Sequence, residues 1–526
     1  MKKVISFILC VIMLFSMAVP AFAAEKVVTI YIAGRGTADL YDAEENLLTN
    51  QSNIDRMAYI KASAPPVLEQ LTIALATGNY DGYIDALVDA FAPIYEDTIL
   101  DKNGEVTDGS HIQWNYKTAP IVLTNDYGIP AYAFFYDWRI SPIEVADQLN
   151  HYIKRVMDAT GAKKVNIYSR CYGVNVAMTY VTKSLQGEYP FVLKNMVHDT
   201  PGLGGYLLVA GLLSGSIVFD ADKIDRFVTY YLNGSELFED PTLEAFAAAF
   251  VSILNTAKIL GYGTEVIEEI YRNIAPEVIS KIALCSTYGR TLAYWAMMGE
   301  YYEEAIDTVF YTKQLKNEYA GLIEKADEYY ELLIKDNAYI DVLKELEGKG
   351  VNFAVFAKYG MVSFPLFEDS EITGDVRGTV IDASYGATAV EYGKTLSNEY
   401  IENAKLNGTD KYISADLQID ASTCLFPDTT WFIKNIEHGN FPVKIAQLGK
   451  AFLDSDGKLT VWNSSLPQFM DYKTNFAEVE PDEEFEWTNN PLGNLFRFLE
   501  KFLKLIRKYL DSYNAAIPQE QPVVEF

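Results

Sequence analysis

Short apolar runs that are rich in β-branched residues recur along the first part of the chain, each bounded by turn-forming residues. Runs of this length and composition predict buried strands. They lie at residues 27–33, 120–124, 131–136, 164–169 and 194–199. The first run stops at Gly34-Arg35-Gly36, and the two glycines there predict a tight loop.

A helical pattern separates the third and fourth of these runs. Residues 141–160 carry apolar side chains three and four positions apart, which would place them on one face of a helix. Ser141-Pro142 is a typical helix start, and Gly161 is a typical helix end. A second helix is expected from Val174 onward. Strand and helix thus alternate, and this alternation predicts a mostly parallel sheet flanked by helices.

The alternation is interrupted between residues 206 and 350, where the pattern becomes helical. Strand-like runs return at residues 351–358 and 430–435. We therefore expect a discontinuous α/β core made of residues 24–205 and 351–475, with residues 206–350 forming an inserted helical cap.

The start of the chain has the pattern of a secretory signal peptide over residues 1–23. A lysine pair precedes an apolar run that ends near Val19, and Ala21-Phe22-Ala23 supplies a small-x-small cleavage motif. The apolar run is short for a bilayer span, and an uncleaved membrane anchor is the alternative. The sequence thus predicts a secreted or extracytoplasmic bacterial protein.

The end of the chain, residues 476–526, combines an acidic linker with an amphipathic helix. This helix is predicted from Leu495 to Leu510, with apolar side chains on one face and basic ones opposite. It indicates either a peripheral membrane or cell-surface contact, or packing against the protein itself.

Composition and charge narrow the classes of function. Hydrophobic residues make up 49% of the 526 residues, which favours a packed core over disorder. The formal net charge is −29 at pH 7. This charge argues against a nucleic-acid partner, because phosphate binding requires clustered Lys and Arg.

The cysteines suggest neither a metal centre nor full disulfide pairing. Of the 4 Cys, Cys10 lies in the signal-like segment, so that Cys171, Cys285 and Cys424 remain. An odd number leaves at least one thiol unpaired within the chain, although a Cys285–Cys424 disulfide is a candidate. Without a CxxC motif or a His/Cys cluster in the sequence, we expect no metal or organic cofactor.

One of the remaining cysteines lies in a segment that predicts a nucleophile. Ser169-Arg170-Cys171-Tyr172-Gly173 follows a predicted strand and precedes a predicted helix. This small-x-nucleophile-x-small pattern is that of a nucleophile elbow, a turn so tight that the flanking residues must be small. The helix N-terminus would favour a thiolate. Cys171 is the predicted nucleophile, with Ser169, or a merely buried cysteine, as the alternatives.

Three further segments accompany the elbow in a fixed order. They are Gly34-Arg35-Gly36-Thr37, Tyr136-Asp137-Trp138-Arg139 and Thr200-Pro201-Gly202-Leu203-Gly204. In this order the four segments resemble the α/β-hydrolases related to lecithin–cholesterol acyltransferase and bacterial lipases. The resemblance implies an α/β-hydrolase fold in which Cys171 replaces the serine nucleophile. It also implies an oxyanion hole formed by backbone N–H groups of Tyr172 and of Arg35 or Gly36.

The resemblance also points to a base among the 4 His. His111 and His151 precede the elbow, whereas in this fold the histidine comes last in the chain. His198 ends a predicted strand and is expected to be structural. His438 follows a late strand, and its surroundings resemble the family's histidine loop, which implies that His438 is the base.

The acid that orients the histidine is less sharply marked. Asp416 lies in a segment that resembles the family's acid loop, although Leu417 and Asp420 replace the glycine and proline that are usual there. Asp416 is the predicted acid, and Asp420 and Asp375 are the alternatives.

Together these features predict an acyl hydrolase or O-acyltransferase that uses Cys171, His438 and Asp416 on a small-molecule acyl or lipid substrate. A catalytically inactive binding protein with the same fold and a thioesterase or transacylase are the alternatives. The cap sequence from Tyr294 to Met298 is rich in aromatic and Met side chains. It predicts either the wall of an acyl pocket or ordinary cap core.

Overall fold

The computed structural model describes residues 26–36, 38–48, 98–125, 128–216, 264–361 and 371–481, most of 65–95, and the single positions 223 and 367. The predicted signal peptide and C-terminal amphipathic helix lie outside the described residues, as does much of the first half of the predicted cap. In the part of the chain that is described, no helix combines the length and apolarity needed to span a membrane.

The strands of the described chain fall into one large sheet and two small ones. In chain order they are β1 (Val27–Ile32), β2 (Leu40–Tyr41), β3 (His111–Ile112), β4 (Leu123–Thr124), β5 (Ala131–Phe134), β6 (Lys164–Arg170), β7 (Leu193–Asp199), β8 (Asn352–Tyr359), β9 (Thr388–Ala389), β10 (Ile419–Asp420), β11 (Thr430–Lys434), β12 (Phe469–Asp471) and β13 (Ala477–Glu478). The large sheet has the order β13-β12-β11-β8-β7-β6-β1-β5-β4. Its neighbours are parallel except at the two edges, where β4 pairs with β5 and β12 with β13 in antiparallel fashion.

The central strands bury both faces, as a mostly parallel sheet requires. In β1, Ile30 and Ile32 join the core on one face, whereas Tyr31 joins the core on the other. Ile167 and Tyr168 of β6 are divided in the same way. This division follows from the two-residue period of a strand and explains why the predicted strands are continuous apolar runs. The predicted α/β class with a mostly parallel sheet flanked by helices is confirmed.

The described helices alternate with these strands and also fill the region between β7 and β8. They are α1 (Asp81–Tyr95), α2 (Pro142–Thr160), α3 (Tyr172–Leu185), α4 (Leu207–Ser214), α5 (Thr264–Leu284), α6 (Leu292–Trp295), α7 (Tyr302–Val309), α8 (Lys313–Glu318), α9 (Ala320–Tyr329), α10 (Ala338–Gly348), α11 (Val380–Ala383), α12 (Asn398–Asn407) and α13 (Val443–Asp454). Short 3₁₀ turns and one π-helical turn, Tyr330–Ile334, connect some of them.

Helix α2 shows why the sequence pattern was informative. The Oγ of Ser141 caps its first turn by accepting a hydrogen bond from the N–H of Ile143 at 3.2 Å. Gly161 ends the helix in the left-handed conformation, with φ of 72°. Helices α2 and α3 pack on the face of the sheet that carries Ile30 and Ile32. Helix α13, which the sequence did not predict, covers the opposite face.

The helices between β7 and β8 pack onto the core through an aromatic and Met-rich segment. Trp295, Met297 and Met298 are buried in the same cluster as α2 and α3. The carbonyl oxygen of Met297 accepts a hydrogen bond from the N–H of Tyr206 at 2.8 Å. Of the two expectations for this segment, the structure therefore places these side chains in ordinary packing.

Candidate active site

Cys171 lies at the sharp bend between β6 and α3. Its backbone has φ of 53° and ψ of −133°, a strained conformation for a residue with a side chain. Two hydrogen bonds of 2.9 Å hold the bend. The N–H of Cys171 donates to the carbonyl oxygen of Asp199, and its carbonyl oxygen accepts from the N–H of Val174.

Two glycines make room for this bend. A Cβ atom on Gly173 would lie 2.4 Å from the carbonyl oxygen of Ala33, a severe clash with backbone. A Cβ atom on Gly34 would lie 2.9 Å from the Cβ of Cys171 and 3.3 Å from its Sγ. The loop after β1 therefore touches the nucleophile position directly.

Ser169, the alternative nucleophile, points elsewhere. Its side chain is buried, and its Oγ donates a hydrogen bond to the carbonyl oxygen of Val197 at 3.2 Å. The strand register thus directs Ser169 toward β7 and leaves Cys171 at the tip of the bend.

His438, on the loop after β11, faces the cysteine. Its Nε2 lies 3.1 Å from the Sγ of Cys171, and its Nδ1 lies 2.7 Å from the Oδ2 of Asp375. The structure thus brings the predicted nucleophile and the predicted base together. It adds a carboxylate on the far side of the imidazole, which fixes the orientation of the ring.

Two buried or half-buried cations hold the histidine loop. The Nζ of Lys358, at the end of β8, donates to the carbonyl oxygens of Glu437, His438 and Asn440 at 3.2, 2.8 and 2.7 Å. The guanidinium of Arg170, next to the elbow, donates to the carbonyl oxygen of Gly439 at 2.6 Å. These contacts tie the loop to β8 and β6, the two strands on either side of β7.

The acid beside the histidine is Asp375, so the prediction of Asp416 is corrected. The Oδ1 of Asp375 accepts hydrogen bonds of 3.1 Å from the N–H groups of Arg377 and Gly378. In addition, the N–H of His438 donates to the carbonyl oxygen of Asp375 at 3.1 Å. Side chain and backbone of Asp375 therefore both bind the histidine.

Asp416 and Asp420 serve other partners. The Oδ2 of Asp416 lies 2.8 Å from the Nζ of Lys434, and its Oδ1 accepts from the Oγ of Ser414 at 2.6 Å. Asp420 accepts a hydrogen bond from the hydroxyl of Tyr400 at 2.8 Å. Both carboxylates organise the segment before β11 and neither contacts His438.

Burial and mutual charge shift the pKa values of the cysteine and histidine in opposite directions. Burial alone would raise the pKa of the Cys171 thiol, but the adjacent His438 lowers it from 9.0 to about 6. Burial would lower the pKa of His438, but the charges of Asp375 and Cys171 raise it from 6.5 to about 9. Between these values the two side chains form a thiolate–imidazolium pair.

Tyr206 completes the surroundings of the pair. Its ring meets the imidazole of His438 edge-on, with centroids 4.8 Å apart. Its hydroxyl donates to the carbonyl oxygen of Thr200 at 3.1 Å and also lies in hydrogen-bonding range of the sulfur of Cys171, so its single proton can serve either acceptor. Burial raises the pKa of Tyr206 well above its ordinary value, so this hydroxyl stays protonated and can donate to a thiolate. The sequence motifs gave no signal for this role.

The predicted oxyanion residues differ in how close they lie to the sulfur of Cys171. The N–H of Tyr172 hydrogen-bonds the Cys171 side chain. Arg35 directly follows Gly34, which touches the cysteine, whereas Gly36 is exposed and a Cβ atom there would meet nothing within 4 Å. The geometry therefore favours Tyr172 and the Gly34–Arg35 segment over Gly36 as the place where an oxyanion would bind.

The Tyr136-Asp137-Trp138-Arg139 motif supports this loop rather than contributing a reactive group. The hydroxyl of Tyr136 donates to the carbonyl oxygen of Ala33 at 2.7 Å. Arg139 is fully buried and pairs with Asp137 at 2.7 Å. Because the motif fixes the end of β1, it positions the residues that face Cys171.

The other histidines are separate from the site. His198 is buried, its Nδ1 lies 2.7 Å from the hydroxyl of Tyr385, and burial lowers its pKa to about 3. His111 lies 3.4 Å from a carboxylate oxygen of Glu45. His151 lies on α2, where its ring faces that of Tyr116. Their positions agree with the expectation that they are not the base.

The remaining cysteines are free thiols, so the candidate Cys285–Cys424 disulfide is not formed. Burial raises the pKa of both to about 11. Among the described residues, no group of three or more His, Cys, Asp or Glu side chains is arranged to hold a metal ion.

Comparison with known proteins gives no relative from which a role could be transferred. No protein-family model matches the chain, and no curated protein matches it significantly. A function for this chain must therefore be inferred from the geometry of the site and from the sequence motifs.

Proposed function

We propose that this chain is an acyl hydrolase or acyltransferase with an α/β-hydrolase fold, in which Cys171, His438 and Asp375 act as a catalytic triad. The observation that carries the proposal is the continuous connection from sulfur to imidazole to carboxylate, with distances of 3.1 and 2.7 Å. The nucleophile, the orienting acid and the base follow one another along the chain as Cys171, Asp375 and His438. This is the order found in the α/β-hydrolase fold. The sequence resemblance to lipases and acyltransferases supports the same reading.

The first half of the reaction forms a thioester. The thiolate of Cys171 attacks the carbonyl carbon of the acyl donor, a carbon–sulfur bond forms, and the carbonyl π electrons move to oxygen. The N–H groups of Tyr172 and Arg35 stabilise this oxyanion. The intermediate then collapses, the bond to the leaving oxygen or sulfur breaks, and the leaving group takes the Nε2 proton of His438.

The second half releases the acyl group. Neutral His438 removes a proton from water or from an acceptor alcohol, whose oxygen attacks the thioester carbonyl. Collapse of the second intermediate breaks the carbon–sulfur bond and restores the thiolate, which again pairs with the imidazolium. Asp375 keeps the ring in the required tautomer throughout.

The main alternative is a binding protein that keeps the fold without the chemistry. Binding alone would not require a strained cysteine with a lowered pKa, an oriented imidazole and a buried acid in one line. Such a combination is typical of a nucleophile that is prepared to react.

We further propose that the protein acts outside the cytoplasm of a bacterium, because its first 23 residues resemble a signal peptide.

The test is a panel of acyl esters and acyl thioesters, with intact-mass measurement of the protein after brief exposure. We expect turnover, and an acyl adduct that peptide mapping places on Cys171. Cys171→Ala should lose both. Cys285→Ala is the matched control, because it removes a free thiol whose pKa is raised rather than lowered.

The proposal fails if Cys171→Ala retains the turnover of the unmodified protein, or if the adduct forms on another residue. It also fails if the unmodified protein turns over none of the panel and forms no adduct. In that case the binding protein is the better reading.

A further inference from the structure

Arg35 lies at the edge of the candidate active site, and its side chain takes no part in the chemistry described above, which uses only its backbone N–H. The guanidinium carbon of Arg35 lies 5.0 Å from the ring centroid of Trp138 and 4.8 Å from that of Tyr294. Trp138 lies in the loop after β5, and Tyr294 lies in helix α6, between β7 and β8 in the chain. Both rings are buried, whereas Arg35 is exposed.

This position is tied closely to the reactive sulfur. Arg35 directly follows Gly34, whose Cα is so close to the elbow that an added Cβ would lie 3.3 Å from the Sγ of Cys171. The hydroxyl of Tyr136 fixes the same loop through the carbonyl oxygen of Ala33. Arg35 is therefore carried by the loop that touches the elbow, and the two rings fix the place of its guanidinium.

The contacts of Arg35 leave its polar edge available. Among the described residues, its side chain contacts two aromatic faces and forms no ion pair with a carboxylate. This is notable in a chain with 72 Asp and Glu against 43 Lys and Arg. Stacking orients a guanidinium by its faces, whereas the N–H donors lie around its rim and suit a two-oxygen anion.

We propose that Arg35 is a subsite for an anionic group, a carboxylate or a phosphate, carried by the acyl donor a short distance from the carbonyl that Cys171 attacks. The inference rests on the proposed function and makes it more specific. The preferred substrate is then a charged ester or thioester rather than a neutral one. Trp138 and Tyr294 hold the arginine in place through their ring faces.

The first experiment needs neither the substrate nor turnover. Iodoacetate and iodoacetamide alkylate the same thiolate, but only iodoacetate carries a carboxylate. We expect the rate constant for iodoacetate divided by that for iodoacetamide at Cys171 to fall about threefold or more in Arg35→Gln. The variant removes one positive charge that attracts the carboxylate of iodoacetate. Arg35→Lys should restore part of the ratio, because it keeps the charge without the planar fork.

The matched control is Arg272→Gln. Arg272 also loses one positive charge in this variant, but it is an exposed residue of α5 that pairs with Glu268. Its ratio of rate constants should equal that of the unmodified protein. An unchanged ratio in Arg35→Gln, or an equal fall in Arg272→Gln, would overturn the inference.

The second experiment identifies the source of the anion with three substrate arms that share one acyl length. The arms are a neutral ester, an ester with a terminal carboxylate on the acyl chain, and an ester with a phosphate on the leaving group. We expect a higher kcat/KM for one charged arm than for the neutral arm, and the charged-to-neutral ratio should fall in Arg35→Gln. Equal kcat/KM for all three arms would contradict the anionic subsite while leaving the acyl chemistry intact. If the unmodified protein forms no acyl adduct at Cys171 with any arm, the proposed function itself is refuted.

Discussion

Two buried carboxylates, Asp375 and Asp416, each face a buried cation, yet only one of them is connected to the nucleophile. Asp375 binds the imidazole of His438 at 2.7 Å, and Asp416 binds the ammonium of Lys434 at 2.8 Å. Both follow β8 in the chain and precede the histidine. The difference lies in the partner. A lysine ammonium stays charged, whereas an imidazole can gain and lose a proton during a reaction.

The second oxygen of each carboxylate is held within its own loop, so it does not distinguish the two. Asp375 directs it to two backbone N–H groups, which keep the carboxylate ionised, and its pKa is lowered despite burial chiefly by His438. Asp416 directs it to the Oγ of Ser414 and to the backbone N–H of Gln418. The comparison teaches that burial and an ion pair do not by themselves mark a catalytic acid. The catalytic acid is instead marked by its connection to the nucleophile, which for Asp375 runs through the imidazole of His438.

The largest effect in this comparison should come from Asp375→Asn. We expect kcat to fall by about 10²–10⁴-fold, because the amide neither stabilises the imidazolium nor fixes the tautomer of His438. Asp416→Asn is the matched control and should keep kcat within a few-fold of the unmodified protein. Steady-state kinetics on the best substrate of the panel measures both. A larger loss in Asp416→Asn than in Asp375→Asn would reverse the assignment.

The second effect concerns stability and should be larger at the other carboxylate. Asp416→Asn removes the carboxylate that lies 2.8 Å from the ammonium of Lys434, whose side chain is 7% exposed. Breaking a buried pair in this way should lower the free energy of unfolding by about 3–5 kcal/mol. Denaturant titration measures the change. If stability is unchanged, the Asp416–Lys434 pair does not support the fold.

The third effect is a shift in pH dependence. Alkylation of Cys171 by iodoacetamide should rise through about pH 6, where the thiolate forms. In Asp375→Asn the imidazolium loses its carboxylate and deprotonates at lower pH. The thiolate then loses its counter-ion, and the alkylation profile should move upward, toward the ordinary thiol value of 9.0.

Asp416→Asn should leave this profile in place. Turnover should follow a bell, because the proton that the leaving group needs is lost as the pH rises through about 9. A rise of alkylation only near pH 9 in the unmodified protein would contradict the ion pair.

The smallest effect should come from Tyr206→Phe. Removal of the hydroxyl deletes one hydrogen bond to the sulfur and keeps the ring against His438. We expect the alkylation profile to move upward by about one to two pH units, because a hydrogen bond to a charged group contributes about 1.5–3 kcal/mol and one pKa unit corresponds to about 1.4 kcal/mol. The free energy of unfolding should change little. An unshifted profile would show that the hydroxyl serves only the carbonyl of Thr200.

The elbow was predictable from sequence because its requirements are local. A strand, a turn that needs Gly173 and a helix start lie within a few residues of Cys171, and the clash that a Cβ at Gly173 would cause explains the glycine. His438 was predictable because it follows a recognisable late strand. The strands β1, β5, β6, β7, β8 and β11 and the helix α2 were predictable from apolar runs and helix caps.

The acid was not predictable in the same way. Asp375 lies in a tight turn in which the next residue, Val376, has φ of 79°, and Gly374 and Thr379 pair across the base of that turn. The hydrophobic periodicity of the sequence does not predict that this turn folds back onto the histidine loop. The available signal was the order of elements, since Asp375 is the first after β8 of the three candidate aspartates, Asp375, Asp416 and Asp420. The edge strands β12 and β13 were missed because they are only three and two residues long.

The close approach of Gly34 to the cysteine has a consequence for how the site forms. The two residues are held by the pairing of β1 with β6, in which Ile32 is level with Ser169. A slip of one position between these strands would rotate every side chain to the opposite face and separate the two loops. A reactive thiol can therefore arise only after that pair of strands has found its native alignment. The alkylation rate at Cys171 would then report, during refolding, when the centre of the sheet is correctly assembled.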